Sequence, residues 1–312
     1  MTEWQARRGG PVAEKSGIEW TDATWNPVTG CTKVSPGCKH CYAERLTERF
    51  GRQKFSEIVL HPDRLDAPLH WRKPRRVFVN SMSDLFHEDV PFEYIDRVFA
   101  VMACAPSHTF QILTKRADRM QEYATALVNG KRMLGSASHE NGGGLMDRLL
   151  IMSACGVKRG DSGKPPYRPF PNVWLGVSVE NQEQADKRIP ILLQTPAAVR
   201  FLSVEPMLER ISLAQWLPIW FDGCESQWRR ATKDNPGSGV EHRKGIGWVI
   251  VGGESGPGAR PCNVEWIRSI VRQCREAGVS CFVKQDSGPR PGMQGRIPDD
   301  LWIKEFPDAP RP

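Results

Sequence analysis

No run of about 18 apolar residues occurs in this 312-residue chain, which excludes a membrane-spanning helix from the sequence. The start, from Met1 to Ser16, lacks the apolar centre of an export signal, and residues 1–17 are expected to form a disordered tail. The expected compartment is therefore the reducing cytoplasm, where nine cysteines do not build a disulfide framework. No G-x-G-x-x-G follows the first predicted strand, which argues against a dinucleotide-binding sheet. The Gly-rich run at 252–258 lacks the Lys-Ser/Thr of a phosphate loop. No nucleophile with its base, and no carboxylate pair, assembles into a hydrolase site. Dense basic runs are also missing beyond Arg72-Lys73-Pro74-Arg75-Arg76. The formal charge of +7 and pI near 9.0 agree with an anionic partner such as nucleic acid without specifying one.

What is present stands out against those absences. Cys31, Cys38 and Cys41 fall in one turn-rich loop, with six residues between the first two and two between the last two. The other six cysteines are scattered, and Cys104, Cys274 and Cys281 have the apolar neighbours of core residues. Gly30, Pro36 and Gly37 hold the loop without a regular element, so three sulfurs can converge and a bulky inorganic group has room. A disulfide with a spare thiol, a structural zinc site and an iron–sulfur cluster all remain open at this point.

The rest of the chain alternates short apolar strands with helices. Strands are predicted at 18–24, 76–80, 108–114, 172–179, 199–204, 247–251 and 280–284. Helices follow at 42–50, from Pro91, at 117–128, at 181–194 capped by Asn181, and from Asn263 to Gly278. This rhythm predicts a parallel (β/α) barrel, full or partial, as one domain over 18–312; an open doubly wound sheet is the runner-up. Two polar, Gly- and Pro-containing stretches, at about 131–171 and 218–245, break the rhythm and are expected to be insertions. Leu301, Trp302, Ile303 and Phe306 are expected to dock the C-terminal tail.

Ligands of parallel α/β folds bind at the carboxyl ends of the strands. After the first strand comes the cysteine loop, and after the second Asn80-Ser81-Met82-Ser83-Asp84. Lys115-Arg116, Ser178 with Glu180, Ser203 with Glu205, Gly252-Gly253-Glu254 and Lys284 follow the others. Helix caps and ordinary polar loops account for many of these, Asn181 among them. They account less well for three glutamates at apolar strand ends, because a carboxylate is costly to bury unless it binds something.

Structural zinc wants four closed ligands, and the loop offers three thiols; His40, His87 or a distant cysteine would have to supply the fourth. A [4Fe-4S] cluster on three thiolates keeps one iron open, and an open site implies chemistry. At this point the chain resembles the radical S-adenosylmethionine superfamily. The stretch from Ile18 to Cys31, with the cysteine loop and Ser203-Val204-Glu205-Pro206, is similar to a phage-associated family of unknown function named for its three-cysteine motif. The superfamily's commonest spacing puts three residues between the first two cysteines where this chain has six.

The resemblance implies that Cys31, Cys38 and Cys41 hold a [4Fe-4S] cluster. Its fourth iron would chelate S-adenosylmethionine, which reductive cleavage turns into a 5′-deoxyadenosyl radical. Ser178, Glu180, Ser203, Glu205, Gly252, Gly253 and Glu254 would hold the S-adenosylmethionine. Lys115, Arg116, Arg260 and Lys284 would meet an anionic substrate or the methionine carboxylate. A flavodoxin- or ferredoxin-like protein would supply electrons, and nucleic acid or a nucleotide is the expected substrate class for modification or repair. The alternative expectation is a zinc-stabilised nucleic-acid-binding protein without catalysis. Oligomeric state is not legible.

Overall fold

The computed structural model describes residues 16–50, 54–131, 169–217 and 245–307. Most of the expected tail and of both expected insertions lies outside these residues. Seven parallel strands form one sheet: β1 (Ala23–Trp25), β4 (Arg76–Val79), β5 (Thr109–Thr114), β6 (Val173–Ser178), β7 (Val199–Val204), β8 (Trp248–Gly252) and β9 (Ser280–Gln285). Two further short strands, β2 (Val28–Thr29) and β3 (Val59–Leu60), pair antiparallel beside it. The helices are α1 (Tyr42–Phe50), α2 (Phe92–Cys104), α3 (Ala117–Val128), α4 (Gln182–Gln194) and α5 (Val264–Glu276).

Spatial order in the sheet equals chain order, so the crossovers never reverse and the sheet must curl. Trp20, three residues before β1, meets Trp248 of β8 with ring centroids 6.2 Å apart. In a flat sheet β1 and β8 would stand five spacings apart, about 24 Å at about 4.8 Å per strand. The sheet is thus a half-barrel; among the described residues β1 and β9 do not pair.

Alternation sorts the side chains. One face of each strand packs on the helices in the larger core; the other lines the lumen. Trp20, Phe78, Trp174, Phe201, Trp248 and Phe282 plug the lumen's lower end. Gly176 makes room for Phe201, whose ring would lie 2.6 Å from a Cβ at that position. The tail completes this floor. Val283 N–H donates to Ile303 O (2.8 Å) and Glu305 N–H to Cys281 O (3.0 Å), which adds the tail antiparallel to β9. Lys304 then reaches Glu19 beside β1, and the Phe306 ring lies tilted against Trp248 and edge-on to Phe282.

The first strand starts later than the sequence pattern predicts. Residues 18–22 form a turn because Asp22 and Thr21 are bound to the backbone of Arg76, and Trp20 is drawn into the plug. Pro91 lies one residue before its helix, in the cap position. Asn181 caps α4 by accepting from Gln184 N–H (2.9 Å), and Asn263 caps α5 through Glu265 N–H (2.9 Å).

Candidate metal centre at the barrel mouth

The cysteine loop leaves β2 at Gly30, whose φ of +93° suits glycine and where a Cβ would lie 2.0 Å from Glu57 O. Cys31 N–H donates to Phe55 O (2.8 Å). Pro36–Cys38 make a single 3-10 turn, closed by Cys38 N–H on Ser35 O (2.9 Å), and Cys41 leads into α1. All three thiols are free and half-buried. Of the expected core cysteines, Cys274 and Cys281 are buried and Cys104 is half-buried. Among the described residues, no three His, Cys, Asp or Glu side chains are gathered tightly enough to hold a single metal ion.

Three buried carboxylates, from the ends of β4, β6 and β8, hold this loop. Asp84 anchors Arg116, whose Nη1 lies 3.2 Å from Asp84 Oδ2 and 3.6 Å from Cys31 Sγ. Glu180 is fully buried; its Oε1 accepts from Gly37 N–H (3.0 Å) and its Oε2 from Arg188 Nη1 (3.0 Å). Glu254 accepts from His40 Nδ1 (2.9 Å) and from Arg260 Nε (2.9 Å) and Nη2 (2.6 Å), while Arg260 Nη1 donates to Pro36 O (3.0 Å). Glu180 and Glu254 are therefore engaged by the protein, each on a backbone or side-chain group of the loop.

The electrostatics follow from these partners. Burial would raise the Glu254 carboxyl, but the hydrogen bonds from Arg260 and His40 hold it down at about 2. Burial likewise opposes ionisation of Glu180, and Lys115 and Arg188 overcome it. Burial pushes the Cys31 thiol up to about 11; Asp84 adds to this and Arg116 counters it. His87 is buried beneath the loop. Its Nδ1 accepts from Asp89 N–H (3.1 Å) and its Nε2 pairs with Thr32 Oγ1 (2.8 Å), so both ring nitrogens are occupied. His40 gives its Nδ1 to Glu254, which leaves Nε2 open; among the described residues neither histidine is gathered with the thiols tightly enough to make a single-metal site.

Above the aromatic plug, the lumen becomes polar at its mouth. Asn80, Lys115, Ser178, Ser203, Glu205, Gly252 and Lys284 continue the inward-facing alternation there. Lys115 Nζ donates to Ser178 Oγ (2.9 Å), and Ser203 Oγ donates to Glu205 Oε2 (3.2 Å). Lys284 Nζ lies 3.1 Å from Glu205 Oε1, at an angle that leaves this buried oxygen without a hydrogen bond. Both amide atoms of Asn80 are also buried without a partner, on a backbone with φ of +64°. Gly252 belongs to this wall, where a Cβ would meet Glu205 Oε1 at 3.1 Å. Gly253 packs below it, a Cβ there falling 2.3 Å from Ser287 N.

A family model described as a protein of unknown function, DUF5131, matches residues 15–296. The chain belongs to the DUF5131 family. That description assigns no activity, and the phage association expected from the opening motif has no counterpart in it. No curated protein matches the chain. Two solved structures of spore photoproduct lyase are similar to this DUF5131 protein at a TM-score of 0.38 each. One, a mutant with bound AdoMet and dinucleoside spore photoproduct, is 10% identical over 82% of this chain and 62% of its own. The other, complexed with dinucleoside spore photoproduct, is 11% identical over 87% and 65%. The DUF5131 chain thus spans less than two thirds of either lyase chain. Sequence reasoning missed Asp84 and Arg188 as partners in the site. Asp84 had a signal, standing just beyond a predicted strand; Arg188, inside a helix, had none.

Proposed function

We propose that this protein is a radical S-adenosylmethionine enzyme acting on a nucleotide or nucleic acid. The observation that carries the reading is the loop itself: three free thiols with no fourth ligand gathered to them among the described residues, fixed at the mouth of a half-barrel beside a polar lumen. The donor set fits the group, since soft thiolates suit a cluster and three of them leave one iron for a small molecule. Structural zinc would instead need four closed ligands on one centre, one more than the loop's three thiols.

Cys31, Cys38 and Cys41 would hold the [4Fe-4S] cluster. When bound, cluster and S-adenosylmethionine supply a 5′-deoxyadenosyl radical for hydrogen abstraction. Ser178, Ser203, Glu205 and Gly252 would bind S-adenosylmethionine at the mouth, with the Asn80 amide ready for its polar groups; Gly253, also expected to touch it, is hydrogen-bonded to Gln285 through its N–H and O and would act by shaping the wall. Glu180 and Glu254, also expected to touch it, act in this reading by fixing the loop. Lys115 and Lys284 give the mouth positive charge for an anionic substrate. The electron comes from a flavodoxin- or ferredoxin-like protein.

Anaerobic reconstitution with ferrous iron and sulfide is expected to give a brown protein that releases 5′-deoxyadenosine from S-adenosylmethionine after reduction with dithionite. A colourless protein carrying stoichiometric zinc would overturn the reading. Binding to DNA or RNA should weaken steeply with salt, and its absence at low salt removes the substrate assignment.

A further inference from the structure

Arg116 follows β5 directly and stands at the N-cap of α3. A guanidinium has five N–H donors, and here the donors meet five acceptors. Nε donates to Glu88 Oε2 (2.8 Å). Nη1 donates to Asp84 Oδ2 (3.2 Å) and Cys31 Sγ (3.6 Å). Nη2 donates to Thr32 Oγ1 (2.8 Å) and Thr32 O (3.4 Å). The side chain is 9% exposed, and Asp84, itself buried, is locked by Thr114 Oγ1 (2.7 Å) and two backbone N–H groups. A cation saturated this way has one orientation, with one N–H aimed at a ligating sulfur. Such saturation goes beyond loop scaffolding, because Thr32 alone would hold the backbone.

We propose that Arg116 is a positioning residue that sets the reduction potential of the group held by Cys31. The inference rests on the cluster reading above. A hydrogen bond to a ligating sulfur and a fixed positive charge beside it both favour the more negative, one-electron-reduced state, so the cluster accepts its electron more readily. The electron is supplied by a low-potential donor, and no bond of the protein is made or broken.

The test compares wild type, Arg116→Lys and Arg116→Gln after anaerobic reconstitution. Iron content, circular dichroism and the midpoint potential from an EPR-monitored dithionite titration are read for each. The expected order of potentials is wild type highest, R116K intermediate and R116Q most negative, at equal iron content. R116K keeps the charge and loses the fork, so the intermediate value separates charge from hydrogen bond. Equal potentials in all three overturn the inference and leave the cluster reading standing. A wild type that takes up no iron fails the cluster reading first. If R116Q is unfolded by circular dichroism, the R116K shift decides alone, and its absence overturns the inference.

Discussion

Cys31 sits between opposing charges, with the Asp84 carboxylate behind it and the Arg116 guanidinium on its sulfur. Its raised thiol pKa means that metal, once bound, must displace a proton that burial otherwise retains. Replacing Cys31, Cys38 or Cys41 singly by Ala is expected to abolish iron binding, measured as iron per protein, whereas Cys104→Ser leaves it unchanged. Glu254 offers a pH test. Its carboxyl is depressed in the folded state, so it contributes stability above its ordinary value of 4.5 that is lost as pH falls through about 2. Acid unfolding followed by circular dichroism should therefore be shallower between pH 4.5 and about 2 in Glu254→Gln than in wild type. An identical profile would show that the carboxylate does not clamp the loop.

At the scale of elements, the loop is a short irregular segment made rigid by strands far away in sequence. Gly37 is held by a residue 143 positions along the chain and His40 by one 214 positions along. Local periodicity cannot show such partners. The strand ends were legible, because apolar runs stopping at Ser, Glu or Lys mark one end of a parallel sheet. Asn181 was legible as a cap for the same local reason. That Glu180 and Glu254 turn toward the loop was not legible, nor was Arg188 as the counter-ion. Glu180→Ala removes one member of a buried pair and strands Arg188, which should cost about 3–5 kcal/mol. The fall in thermal midpoint reads this loss, and limited proteolysis should then cut within residues 30–41. Gly176→Ala forces a methyl group against Phe201 and should cost about 1–3 kcal/mol by overpacking.

For the whole molecule, chain order and spatial order coincide, so alternation of strands and helices in the sequence was enough to predict the barrel class. Partial closure was not readable, because it depends on how the tail and Trp20 meet across the lumen. Phe306→Ala should lower the thermal midpoint, at a cost up to about 3 kcal/mol, because its ring is half-buried against Trp248 and Phe282. The same change should leave iron uptake intact, since floor and mouth lie at opposite ends of the strands.

Among the described residues, the aromatic floor also closes the lower end of the lumen. In the proposed reaction a reactant and its product would therefore pass at the rim, or through the lateral opening left among the described residues between β1 and β9. If the substrate is a long polymer, as proposed, it could not thread from mouth to floor, and only a protruding unit of it would enter beside the loop.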